Sequence, residues 1–505
     1  MSSQRLKLAG LMASVLCVAC SAPAPEASKD GTTTRHFGSI AFSPCTLSGA
    51  MASQNVEAQC GTLSVAEDPQ RPDGRHIDLR IAWLDAGNSG SAMADPVFFL
   101  AGGPGQAASE VAQVVNAALG QVRKRRDIFL IDQRGTGGSN PLDCVDADGK
   151  AMKLDESAEP TPAFLREFAA ACAAGLADKA DVRQYTTSRA IDDLDAVRKA
   201  LGVNQLNLVG GSYGTRVAQQ YAARYPQHTR TVVIDGVVPN DLVVGGDFAN
   251  TFQNAITLQA AQCIQDAACA KRFPVDTRTQ LAKVMQTLAA APVQVTYRDP
   301  GTAQPRTDAL THDSVAGLAF AFSYMPQLSA LLPVVLDEAA NGRYEPLAAL
   351  SRNASRAMDM QINRGMQWSV ICSEDAARYQ PPTEPQGDTL IGPHVAEMFF
   401  AACGAWPHEN VAAAPALSSE LPVLLLSGEV DPVTPPRYAE RVLPGLPNGR
   451  HLVARGQGHG TLTAGCMPRL LGQFIDGADA KALDATCLDT LARVPAFTSF
   501  NGWEP

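Results

Sequence analysis

The stretch LNLVGGSYGTRVAQQYAARYP, residues 206–226, restricts most severely what this chain can fold into. An apolar run leaves through Gly210, Gly211, Ser212, Tyr213 and Gly214 straight into a helical pattern. A turn that sharp leaves no room for a side chain two residues before or two residues after the serine, and glycine stands at both places. Such a turn holds a hydroxyl out at the C-terminal end of a strand, over the N-terminus of a helix, where free backbone N–H groups can stabilise an oxyanion. This is the pattern of a nucleophile elbow. An ordinary strand-to-helix turn with an inert serine carries the same spacing in a glycine-rich chain, so the other segments must decide.

Those segments have one rhythm. PVFFLAGG, DIFLIDQRG, LNLVGGS, TVVIDGVVP and PVLLLSGEVD are short apolar runs ending in Gly, Asp or Ser, with helical patterns such as SRAIDDLDAVRKALG between them. HIDLRIAWLDA alternates as a half-exposed strand. Buried runs of this length separated by helices predict an α/β fold with a mainly parallel sheet, and functional loops then gather at the C-terminal ends of the strands. Over residues 241–418 the rhythm gives way to an Ala-, Leu-, Gln- and Met-rich sequence of helical period, which predicts a largely helical cap inserted between two strands. The expected division is an export signal over 1–19, a tether over 20–35, the first part of the core over 36–240, the cap over 241–418 and the rest of the core over 419–505.

A formal charge of −10 on 505 residues, 46% of them hydrophobic and 18% charged, describes a globular chain without the basic stripe that a nucleic-acid groove requires. Arg5 and Lys7 precede an apolar run over residues 8–18 that is too short to span a bilayer, the layout of an export signal. It resembles a bacterial lipoprotein signal with Cys20 as the lipidated residue, except that Cys17 stands where Leu is usual. Lipid anchoring through Cys20, or free secretion, is expected, in the cell envelope or outside it. Export suits the ten remaining cysteines, an even number: Cys45, Cys60, Cys144, Cys172, Cys263, Cys269, Cys372, Cys403, Cys466 and Cys487. Spread singly, without a C-x-x-C, they suit disulfides between sequence neighbours better than a metal, although the sequence leaves connectivity open.

A serine nucleophile needs a base to take its proton and an acid to hold that base in the right tautomer. Asp431, in SGEVDPVTPP, and His459, in GQGHG, each follow a predicted strand and stand in the order Ser, Asp, His. Asp before Pro is more often a turn residue, and a glycine-flanked histidine is often merely exposed; the three motifs in sequence make a catalytic set of Ser212, Asp431 and His459. Glu429 is the rival acid. The oxyanion would be held by the Tyr213 N–H and by Gly103 of FFLAGGPGQ, preferred over Gly102. In DQRGTGGS, Asp132 and Arg134 are expected to tie loops together.

AGGPGQ, DQRGTGGS, GGSYG, DPVTPP and GQGHG together resemble the prolyl aminopeptidase and tripeptidyl aminopeptidase group of α/β-hydrolase serine exopeptidases, with its TAP-like C-terminal region. Ala101 stands where small prolyl aminopeptidases carry His, which points away from the proline-specific branch. The resemblance implies peptide substrates with a free N-terminus, no metal or organic cofactor, and an acid in the cap for the substrate amine. Glu374 and Asp375 of SVICSED, two and three residues after Cys372, are the candidates, Glu374 preferred for its longer side chain. A carboxylesterase is the near alternative, and a non-catalytic envelope binding protein the distant one.

Overall fold

In a computed structural model of the chain, the described residues run from 34 to 502, apart from 50–54, 88–89, 91, 147, 153–160, 360–361, 382–388 and 393. The expected export signal, Cys17, Cys20 and nearly all of the tether lie outside the described residues. Among the described residues, no helix is long and apolar enough to cross a membrane.

Twelve strands are described: β1 Arg35–Phe37, β2 Ile40–Leu47, β3 Val56–Ala66, β4 His76–Leu84, β5 Val97–Leu100, β6 Ile128–Ile131, β7 Leu206–Gly211, β8 Thr229–Asp235, β9 Val293–Arg298, β10 Pro305–Leu310, β11 Val423–Gly428 and β12 Gly449–Ala454. Ten of them form one sheet in the order β1-β2-β3-β4-β6-β5-β7-β8-β11-β12. From β6 to β12 neighbours run parallel, and from β1 to β6 they run antiparallel. The α/β fold with a mainly parallel sheet is therefore the one the chain adopts. The first three strands, which add to those expected from the sequence, form a meander stapled by Cys45–Cys60.

Continuous apolar runs arise because both faces of the parallel strands are covered. Phe98, Leu100, Leu208, Ile234 and Leu425 face the core built with helices Thr187–Ala200 and Tyr213–Arg224. Their neighbours Val97, Phe99, Val209, Val233 and Leu424 face the core built with helix Met467–Gly477.

The segment between β8 and β11 is mostly helical, as expected, but it also contains the hairpin β9–β10. Phe252, Leu281, Val295, Leu318 and Val335 give it a core of its own. One helix departs from this plan: Arg364–Glu374 buries Met366, Trp368, Ile371 and Cys372 in the core of the main sheet. Its start is fixed by Asn363, whose side chain caps Met366 and whose N–H reaches the carbonyl of Gly105 at 2.8 Å.

Candidate active site

Five adjacent parallel strands, β5, β7, β8, β11 and β12, deliver the candidate residues at their C-terminal ends. Ser212 follows β7 with φ 53° and ψ −125°, a left-handed conformation costly for serine and sustained by the packing around it. A Cβ on Gly214 would stand 2.1 Å from the carbonyl oxygen of Leu100, and one on Gly210 would stand 2.5 Å from that of Gly214. Glycine at 210 lets helix Tyr213–Arg224 turn tightly off β7, and glycine at 214 lets it close against β5. On the facing loop after β5, a Cβ on Gly102 would lie 2.9 Å from the Ser212 Cβ, so that loop lies directly against the nucleophile candidate. Among the described residues, neither the Tyr213 nor the Gly103 N–H has a hydrogen-bond acceptor. Both are free to serve an oxyanion.

Asp431 lies three residues beyond β11 and is fully buried. It accepts the N–H groups of Val433 and Thr434 at 2.9 and 2.8 Å, and its Oδ2 meets Nδ1 of His459 at 2.8 Å. Burial raises its pKa, but the histidine and the donated hydrogen bonds outweigh that and hold it below the ordinary carboxylate value. His459 is shifted oppositely. Burial disfavours its charged form, while the charge and hydrogen bond of Asp431, with a smaller contribution from Asp235, raise its pKa above the ordinary value. The arrangement can take a proton from a hydroxyl and stabilise the resulting imidazolium.

A family model of the alpha/beta hydrolase fold matches residues 95–462. The chain belongs to the alpha/beta hydrolase family. It is 26% identical to the serine protease Hip1 of Mycobacterium tuberculosis over 78% of this chain and 80% of that protein. It is 33% identical to a tripeptidyl aminopeptidase of Streptomyces lividans over 36% of this chain and 35% of that one. A solved proline iminopeptidase from Mycobacterium smegmatis is 15% identical, with 84% of this chain and 100% of that chain covered and a TM-score of 0.42.

Within this alpha/beta hydrolase, the rival acid Glu429 points elsewhere: its carboxylate accepts Gly456 N–H at 2.7 Å and Arg493 at 2.9 Å. Asp132 accepts Ser109 N–H, Ser109 Oγ and Gly138 N–H and so ties loops together, while Arg134 pairs with Asp193 of helix Thr187–Ala200 at 2.6 and 2.7 Å and donates to the carbonyls of Glu67 and Gln184.

Glu374 and Asp375, expected to face a substrate amine, are engaged by partners inside the protein. Both oxygens of Glu374 are occupied by Thr187, by its N–H at 2.7 Å and its hydroxyl at 2.8 Å, and only 9% of the side chain is exposed. Asp375 is fully buried between Arg216, at 3.0 Å, and Arg378, at 2.6 Å. The physical reason is the placement of helix Arg364–Glu374, whose apolar face packs on the main core instead of over the cleft. Burial pushes both carboxyls up in pKa against the pull of Arg216. Thr187 extends this network to the Tyr213 hydroxyl at 2.6 Å, beneath the elbow.

The ten cysteines stand as five bridges between sequence neighbours: Cys45–Cys60, Cys144–Cys172, Cys263–Cys269, Cys372–Cys403 and Cys466–Cys487. Among the described residues, no group of three or more His, Cys, Asp or Glu is placed to hold a metal ion. Two residues that touch the histidine loop went unnoticed in the sequence. Tyr324 accepts the His459 N–H on its carbonyl at 2.8 Å and sets its ring edge-on to the imidazole at 5.2 Å. Asp235 binds the residues just past His459. Tyr324 lies in a helical stretch with no motif to mark it, and Asp235 ends a strand as many aspartates do.

Proposed function

We propose that this chain is an exported serine peptidase, an aminopeptidase that releases short peptides or single residues from peptide N-termini through an acyl-enzyme. The observation that carries the serine chemistry is the 2.8 Å contact of Asp431 with His459 on the same sheet edge as the strained elbow of Ser212. Peptide substrates are favoured by relatives named serine protease and tripeptidyl aminopeptidase.

In this reading His459 takes the Ser212 proton on Nε2 as Oγ attacks the peptide carbonyl. The Tyr213 and Gly103 N–H groups hold the oxyanion, and His459 then passes the proton to the leaving amine. Water attacks the acyl-enzyme by the same route. Asp431 keeps Nδ1 protonated throughout. The insertion between β8 and β11 acts as a cap, because Tyr324 brings it against the histidine. The five bridges and the N-terminal layout of Arg5, Lys7 and the apolar run support export, with Cys20 as the anchor point.

The test is covalent labelling by a fluorophosphonate together with turnover of a peptide anilide. Labelling at Ser212, and loss of both signals in Ser212→Ala, is the expected result. Turnover surviving in pure Ser212→Ala protein removes this serine from the reaction, and an unlabelled wild type returns the chain to the non-catalytic alternative.

A further inference from the structure

A second carboxylate stands behind the Asp431–His459 pair. Asp235 ends β8, between the strand that leads to Ser212 and the strand that leads to Asp431, and is 2% exposed. Its backbone carbonyl accepts the Ser212 N–H at 2.8 Å. Its side chain accepts the N–H of Thr461 at 2.6 Å, the N–H of Leu462 at 3.0 Å and the hydroxyl of Thr461 at 2.8 Å. All three partners donate, which is the environment of an ionised carboxylate. Burial outweighs the pull of those donors and of the neighbouring His459, so its pKa lies above the ordinary carboxylate value, and the three donated hydrogen bonds are what favour the charged form.

We propose that Asp235 is a positioning residue for the serine reaction: it fastens the loop carrying His459 to the strand end that also fixes the Ser212 backbone, and its charge favours the imidazolium. The proposal rests on the reading of Ser212 and His459 as the reacting pair.

The need for such a residue follows from the loop. His459 lies five residues past β12, between Gly458 and Gly460, so its own backbone does little to orient the ring. From the insertion side Tyr324 holds its N–H and packs on its ring. From the sheet side stand Asp431, in direct contact, and Asp235, which grips Thr461 and Leu462, two and three residues past the histidine. The charged and titratable groups facing the imidazole are therefore Asp431, Asp235 and Tyr324, and burial, with the Asp431 charge, keeps the tyrosine hydroxyl neutral. In the attack, the Ser212 proton moves to Nε2, the Oγ electron pair forms the bond to carbon, and the carbonyl π pair becomes the oxyanion. Asp235 neither gives nor takes a proton in this step. It lowers the cost of the charge that His459 acquires.

The experiment follows a free-amine peptide anilide across pH in Asp235→Asn and Thr461→Val, with rates normalised to sites titrated by a fluorophosphonate. The amide keeps the shape of Asp235 but loses its charge and turns an N–H₂ toward a donor. The expected result for Asp235→Asn is a fall in kcat of at least about tenfold, a KM within about twofold, and an acid limb of kcat/KM displaced to lower pH. Thr461→Val keeps the charge and both N–H donors, so kcat should fall less and the acid limb should stay in place. Lower thermal stability with unchanged kcat per titrated site and an unmoved acid limb in Asp235→Asn overturns the proposal. Should Asp235→Asn fail to fold, Thr461→Val decides, and unchanged kcat per site there overturns it. Wild-type labelling at Ser212 is read separately, so its failure would indict the serine reading and not Asp235 alone.

Discussion

Asp431 and His459 meet through Oδ2 and Nδ1 at 2.8 Å, and Thr434 Oγ1 bridges the two, 2.8 Å from that oxygen and 3.0 Å from that nitrogen. A base so held carries its proton to higher pH than a free imidazole. The direction of the His459 shift is upward, so activity lost by protonating the base is lost earlier as pH falls. The acid limb of kcat/KM is expected above the ordinary histidine value of about 6.5. A pH profile with a peptide anilide measures it, and a limb well below 6.5 speaks against His459 as base.

Removing the acid should be as informative. Asp431→Asn leaves the ring without an anionic partner and is expected to lower kcat on the order of a thousandfold or more while the protein stays folded. Steady-state kinetics beside a melting curve checks both halves of that statement.

The elbow makes a sharper test of geometry. Gly214→Ala drives a methyl into the Leu100 carbonyl, so a loss of roughly 1–3 kcal/mol in stability is expected, with reduced turnover. Gly211→Ala is the control: a Cβ there meets nothing within 4 Å and should be tolerated. Equal behaviour of the two variants contradicts the steric account of the Gly210–Ser212–Gly214 spacing.

The strands of the parallel sheet were legible because each is a short apolar run stopped by a turn residue, and the elbow because its glycines answer a local steric demand. The hairpin β9–β10 has a signal of its own, since VQVTYR alternates and DPGT supplies a turn, but it is short and embedded in a segment of helical composition. The placement of Glu374 was not legible. It depends on which face of helix Arg364–Glu374 finds the main core, and on Thr187, 187 residues earlier in the chain. Asp235 was hidden for the same reason: its role depends on contacts with Thr461 and Leu462, 226 and 227 residues later.

Because Glu374 is buried among donors, Glu374→Gln should act on stability and leave substrate choice alone. Losing a buried charged acceptor opposite Arg216 should cost about 1.5–3 kcal/mol. Thermal denaturation reads the loss, and the ratio of rates on free-amine and N-acetylated substrates should not move. A collapse of that ratio would restore Glu374 to the substrate amine.

The bridges give a chemical count. Protein denatured without reductant should show no free thiol among Cys45 to Cys487, and reductant should lower its melting temperature, each bridge contributing roughly 2–5 kcal/mol. Thiol titration of the denatured protein settles the count, and a free Cys372 or Cys403 would release helix Arg364–Glu374 from its tie.

The central claim is that Ser212 serves a peptidase that requires a free N-terminal amine, and it stands or falls on one pair of substrates. A substrate ammonium entering a partly dry site must be countered by charge there, so an enzyme that recognises the free amine loses binding when it is blocked. The measurement is kcat/KM for one tripeptide anilide and for its N-acetylated form. The account predicts that acetylation removes most of kcat/KM. Equal cleavage of the two forms, or faster turnover of simple esters than of any free-amine peptide, would contradict it and make the chain an esterase.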